Sequence, residues 1–135
     1  MEKSQFQFTN PTLQMLNLRH NKEFCPSAEE RIPVETSFSV QVGRNDADST
    51  SAMVVLQFSM GKDQPAFPFT LEAEMVGHFK WDECLNPEMV NNLLSQNAPS
   101  LLLGYLRPIV SNIVLSAGFP PYTIPFMDFT RDEKT

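Results

Sequence analysis

The stretch Ser100 to Ala117, SLLLGYLRPIVSNIVLSA, places Leu101, Leu102, Leu103, Leu106, Ile109, Val110, Ile113, Val114 and Leu115 around most of a helix circumference. A helix that is apolar on nearly every side must be buried on nearly every side. At roughly 26 Å it cannot be enclosed by one small sheet, which covers a single face, so the pattern predicts further cover from a second subunit. Pro108 would clash with the carbonyl four residues back, but that residue is Gly104, whose backbone adjusts most easily. The spacing therefore predicts one kinked helix. Just upstream, Asn86-Pro87-Glu88 carries a capping residue, a proline suited to the first helical position and an acid at the positive end of the dipole. This predicts a short helix to about Gln96, stopped before Pro99.

Everything before this region reads as sheet. Ile32, Val34, Thr36, Phe38, Val40 and Val42 alternate with Glu35, Ser37, Ser39 and Gln41, as a half-buried strand requires. The polar loop GRNDADSTS (43–51) is turn chemistry. Beyond it Val54, Leu56, Phe58 and Met60 resume the pattern, giving an antiparallel hairpin. A third run sets Phe67, Phe69, Leu71, Ala73, Met75, Gly77 and Phe79 on one face, with Thr70, Glu72, Glu74, His78 and Lys80 opposite. At the N-terminus the apolar phase changes between Phe6 and Leu18 around Pro11, which cannot donate a ladder hydrogen bond. That reads as a strand broken by a bulge at a sheet edge. HNKEFCPSAEER (20–31) is a long crossing loop in which Phe24 is the one large apolar side chain. The fold class is α+β: a four-stranded antiparallel sheet, then a short helix and one long apolar helix.

Length and composition narrow the function. At 135 residues, 41% hydrophobic and 19% charged, the chain is one domain over residues 1–129 with a solvated tail over 130–135. Its net charge of −6 opposes nucleic-acid binding, which is driven by Lys and Arg displacing counterions. No apolar run reaches the ~18 residues of a membrane span, and MEKSQFQFTN lacks a signal-peptide pattern. A cytoplasmic protein without a membrane partner is expected. Cys25 and Cys84 stand far apart with no CxxC partner, and each serves equally well as a small buried hydrophobe. His20 and His78 show no metal-ligand spacing. Glu72 and Glu74 point the same way on a strand and resemble a carboxylate pair, but a solvated sheet face explains them more simply. With no phosphate loop, nucleophile elbow or triad partner, the expectation is a protein that is not an enzyme and needs no cofactor or metal. Eleven Phe and seven Met against one Trp and two Tyr supply apolar surface without a hydrogen-bonding handle.

One quarter of the chain carries a specific likeness. Pro99, Leu101-Leu102, Tyr105-x-Arg107, Phe119-Pro120 and an apolar loop ending in Asp128-Phe129 resemble the corresponding features of the bacterial export chaperone family SecB. Gly77-x-Phe79 matches the end of that family's last strand. The resemblance implies a homotetramer built as a dimer of dimers, with long helices between two sheets and Leu102, Tyr105, Leu106, Ile109 and Ile113 at the oligomer interface. It also implies an ATP-independent holdase for unfolded or aggregation-prone polypeptides, either preproteins for export or an antitoxin of a toxin–antitoxin system. A non-catalytic adaptor for one folded partner is the alternative.

The chain departs from the family pattern in three respects. It ends within six residues of Phe129, where the family continues into a further helix over the client groove. Glu72 matches the acidic residue used to dock the motor SecA, but Met15 and Arg19 occupy the first-strand acidic positions, leaving that surface incomplete. Gly104 and Pro108 replace the usual residues of the long helix. For client binding, Met53, Val55 and Val76 lie on the strand faces opposite the core phase, and exposed apolar patches mark interaction sites. Phe24, Phe119, Ile124, Phe126 and Met127 are placed with them along one groove. The same residues would equally serve packing against neighbouring subunits.

Overall fold

Period-two alternation is what a strand covered on one side requires. The computed structural model, which describes residues 1–24 and 33–130, turns each such run into part of one antiparallel sheet. The strands are β1 (Phe6–Phe8), β2 (Thr12–His20), β3 (Thr36–Arg44), β4 (Ser51–Met60) and β5 (Phe69–Trp81). β3 forms one edge, then come β4 and β5, and both β1 and β2 lie along the far side of β5. β1 takes the C-terminal end of β5, with Phe6 opposite Trp81. β2 takes the N-terminal end, with Leu16 opposite Ala73 and His20 opposite Phe69. The expected broken edge strand is thus present: Pro11 separates the two pieces, and the register shifts again between Leu13 and Met15. Five segments occupy four strand positions.

β4 and β5 are the inner strands, and their apolar residues form the core. Ala52, Val54, Leu56, Phe58 and Met60 are buried from β4, and Phe69, Leu71, Ala73, Met75, Phe79 and Trp81 from β5. On edge strand β3 the same phase is only partly covered: Phe38 and Val40 are half-buried and Val42 is exposed. This strand begins at Thr36, later than its sequence pattern, and Ile32 lies outside the described residues. Gly61 makes the β4–β5 turn at φ 73°, where a Cβ would stand 2.3 Å from the Phe69 carbonyl oxygen.

The helical part differs from expectation at Pro99. α1 (Pro87–Asn92) starts as predicted, the Asn86 side chain accepting from the Glu88 N–H at 2.8 Å. It does not stop before Pro99. Leu93–Asn97 widens into one π-helical turn, and the Ala98 N–H bonds the Leu93 carbonyl five residues back. The run then continues as α2 (Ala98–Ser116), with Pro99 in its first turn. A proline lacks the N–H that the preceding turn would need, and the wider turn absorbs that loss. α2 also continues through Pro108, as the glycine four residues back allows.

α2 lays Leu102, Leu103, Leu106, Val110 and Val114 onto the sheet. Leu102 and Leu106, expected between copies, are both 0% exposed and fill this chain's own core. Tyr105, Leu115 and the half-buried Leu101, Ile109 and Ile113 occupy the other side, where the chain supplies no full cover. By length and composition alone Pro87–Ser116 passes for a membrane span, but its buried side is the core of this chain.

Candidate functional site

Beyond α2 the chain runs without helix or strand from 117 to 130. Gly118, at φ 97°, turns it off the helix. Phe119 then packs its ring 4.6 Å from that of Phe69 and 5.0 Å from His20. Ile124 is 1% exposed and belongs to the core. Phe129 meets Phe38 of β3 edge-on at 6.3 Å. The segment is therefore a strap across the end of the sheet from the β2 side to the β3 edge, tied down at three points. Between the last two anchors, Phe126 is 96% exposed and Met127 half-buried.

Arg107, on α2, holds the strap at its middle. Its Nε donates to the Ile124 carbonyl and its Nη2 to the Pro125 carbonyl, both at 2.9 Å, and its guanidinium lies 5.1 Å from the Phe126 ring centroid. The sequence marked Arg107 only as part of a resemblance; the adjacent prolines and aromatics of the strap gave no sign of which residue it would reach.

The residues expected along one groove occupy separate places. Met53, Val55 and Val76 lie on the outer face of the sheet, opposite α2, with Val55 directly across from Val76. Met53 is exposed, Val55 half-buried and Val76 buried. The sheet stands between this patch and the core that the strap caps, so the two cannot form one groove within a chain. Phe24 follows the end of β2, half-buried, its N–H on the Asn21 carbonyl. Ile124 is fully occupied by the core and presents nothing to solvent. On the strap the large apolar side chain left exposed is Phe126, with Met127 beside it half-buried.

The outer face also carries a shallow depression lined by Met15, Ser37, Gln57, Ser59, Glu72 and Glu74. Two pairs of its polar groups bond to each other: Gln57 donates to Glu74, and the Ser37 and Ser59 hydroxyls share a hydrogen bond. Glu72 pairs with Asn17, Met15 with Glu74, and Arg19 with Thr70, so Glu72 has no acidic neighbour at those β2 positions. Among the described residues no three His, Cys, Asp or Glu side chains cluster as metal ligands would. Cys84 is exposed and free. A hydrogen bond with Asp82 pushes its thiol pKa up, away from a reactive thiolate. Cys25 lies outside the described residues.

Residues 18–131 match the family model described as preprotein translocase subunit SecB. The chain belongs to the SecB family. Its relatives include the protein-export protein SecB of Roseobacter denitrificans, 29% identical over 84% of this chain and 68% of that protein. The SecB of Anaplasma phagocytophilum is 36% identical over 49% of this chain. That match spans 42% of the Anaplasma protein. The SecB-like fold recurs in the chaperone Rv1957 of Mycobacterium tuberculosis, solved with a ChAD peptide from the HigA1 antitoxin. That structure has a TM-score of 0.71, with 91% of each chain covered at 15% identity.

Proposed function

We propose that this chain is an ATP-independent holdase that binds extended, apolar-rich segments of unfolded or aggregation-prone polypeptides and catalyses no reaction. The observation that carries the reading is Phe126. Its ring is 96% exposed on a strap whose neighbouring residues are anchored to helix and sheet. A large aromatic held in water by a fixed backbone is costly for folding and useful for capture, and burying it against a client side chain contributes about 1.5–3 kcal/mol. Met127 beside it adds adaptable apolar contact, and Phe24, Met53 and Val55 are further contact candidates, whereas Val76 is buried. Several weak sites on one assembly engage one unfolded chain by effective concentration. Family membership supports the chaperone reading. The export name of the relatives favours preproteins as clients, and the antitoxin peptide bound to the mycobacterial neighbour favours an antitoxin. Both are chains that must be kept unfolded or unaggregated.

The test is suppression of aggregation of a chemically denatured protein diluted from guanidinium. The wild-type chain is expected to suppress light scattering without ATP, and the double substitution Phe126→Ser with Met127→Ser to lose most of that effect at unchanged oligomeric state. A double mutant that suppresses as well as wild type counts against this surface.

A further inference from the structure

Between Ile124 and Phe126 the strap turns one side chain into the core and the next but one into water, with only Pro125 between them. A segment outside helix and sheet has no hydrogen-bond ladder to hold such an alternation, and its carbonyls need partners from elsewhere. Arg107 supplies them. Its guanidinium is a rigid planar fork, and here one edge serves two consecutive carbonyls at 2.9 Å each. It also lies 5.1 Å from the Phe126 ring centroid, within the ~6 Å over which a cation and an aromatic ring attract. The base of the side chain is fixed as well, since Leu106, its neighbour on α2, is 0% exposed.

We propose that Arg107 is a positioning residue for client capture: by locking the Ile124 and Pro125 carbonyls and packing against Phe126, it holds that ring outward as a preformed docking post. The inference rests on the holdase reading. Its physical content is preorganisation, because a ring already fixed in its binding pose loses less freedom on capture. Lysine cannot substitute for this geometry, since its ammonium is a point charge on a flexible stem and lacks the fork.

A double-mutant cycle separates positioning from general stability. The proteins are wild type, R107Q, R107K, F126A and R107Q/F126A. The probe is fluorescently labelled, reduced and carboxymethylated α-lactalbumin, a chain that cannot refold, titrated by anisotropy. F126A is expected to weaken binding ~10-fold and R107Q ~5-fold, with the double mutant within ~2-fold of F126A, because Arg107 acts through Phe126. R107K, which keeps the charge and loses the fork, is expected to bind like R107Q, and it carries the test if R107Q fails to fold. The positioning role is overturned if R107Q or R107K binds as tightly as wild type, or if R107Q weakens F126A as much as it weakens wild type. A wild-type protein that does not bind the unfolded probe overturns the holdase reading itself, whereas the other failures leave it standing.

Discussion

Leu102 of α2 rests against Gly77 of β5 so closely that a Cβ on Gly77 would stand 2.8 Å from the Leu102 Cδ2 and 2.9 Å from the Phe79 ring. The missing side chain is what lets the helix reach the sheet at this point. Leu102 is 0% and Phe79 2% exposed, so neither has room to retreat. Gly77→Ala should destabilise the fold by about 1–3 kcal/mol, the usual cost of overpacking a close-packed core. The check is a denaturant unfolding midpoint, and an unchanged midpoint would show that α2 can shift at no cost. The same contact gives a physical reason for a glycine two residues before Phe79.

The β3–β4 loop is tied to β5 by the Trp81 N–H on the Thr50 carbonyl at 3.0 Å and by the carboxylate of Asp48. Asp48 accepts from Lys80 Nζ at 2.9 Å and from the Thr50 N–H at 2.9 Å, and the Lys80 hydrogen bond is the largest of the causes that hold its pKa well below the ordinary carboxylate value. A depressed pKa contributes stability that is present above the unfolded-state pKa, about 4, and is lost as pH falls through the folded one. Wild type should therefore exceed Asp48→Asn in stability at pH 7, and the gap should begin to narrow below about pH 4 and go on narrowing as the pH falls further. Unfolding midpoints of both proteins from pH 7 down to pH 2.5 check this. A gap independent of pH would mean that Asp48 contributes through loop geometry alone.

On the open side of α2, Tyr105 is 41% and Leu115 57% exposed, with Ile109 half-buried between them. Contiguous apolar surface of this kind is an association site, and in a dimer of dimers a second copy would cover it. Wild type is expected to be tetrameric at micromolar concentration and Tyr105→Asp with Ile109→Asp to be smaller with its sheet intact, because neither side chain is part of the fully buried core. Sedimentation equilibrium and circular dichroism together test the idea. It is lost if the double mutant remains tetrameric.

The elements with a period were legible in the sequence and the aperiodic ones were not. Val54 to Met60 and Phe69 to Phe79 alternate because their strands have one covered face, and the sheet assigns them as their pattern requires. The break at Pro11 was legible for a chemical reason, the missing donor. Pro99 misled because the sequence does not announce a π turn, which lets the helix pass a residue that usually ends it. All-round apolarity of α2 was correct as a pattern, but it could not say which leucines face the chain's own sheet. That depended on which side of the helix is turned to the sheet, where Leu102 meets Gly77. The strap had no period at all, so Ile124 and Phe126 looked alike.

These two residues give the last prediction. Both are large and apolar, they are separated by a single proline, and composition assigns them the same role. In the fold Ile124 is 1% exposed and Phe126 is 96% exposed. Removing a buried isoleucine side chain forfeits its transfer free energy and leaves a cavity, so Ile124→Ala should cost about 2–5 kcal/mol of stability. Phe126 has little burial to lose, and Phe126→Ala should stay within about 0.5 kcal/mol of wild type. Client capture should respond in the opposite order, with Phe126→Ala weakening it directly. Ile124→Ala should weaken it only as far as the strap loosens at the carbonyl that Arg107 holds. Denaturant unfolding of both single mutants, read beside their affinity for an unfolded probe, decides the matter. Equal stability losses would mean that the two side chains share one environment, and the division of the strap into an anchor and a docking post would be wrong.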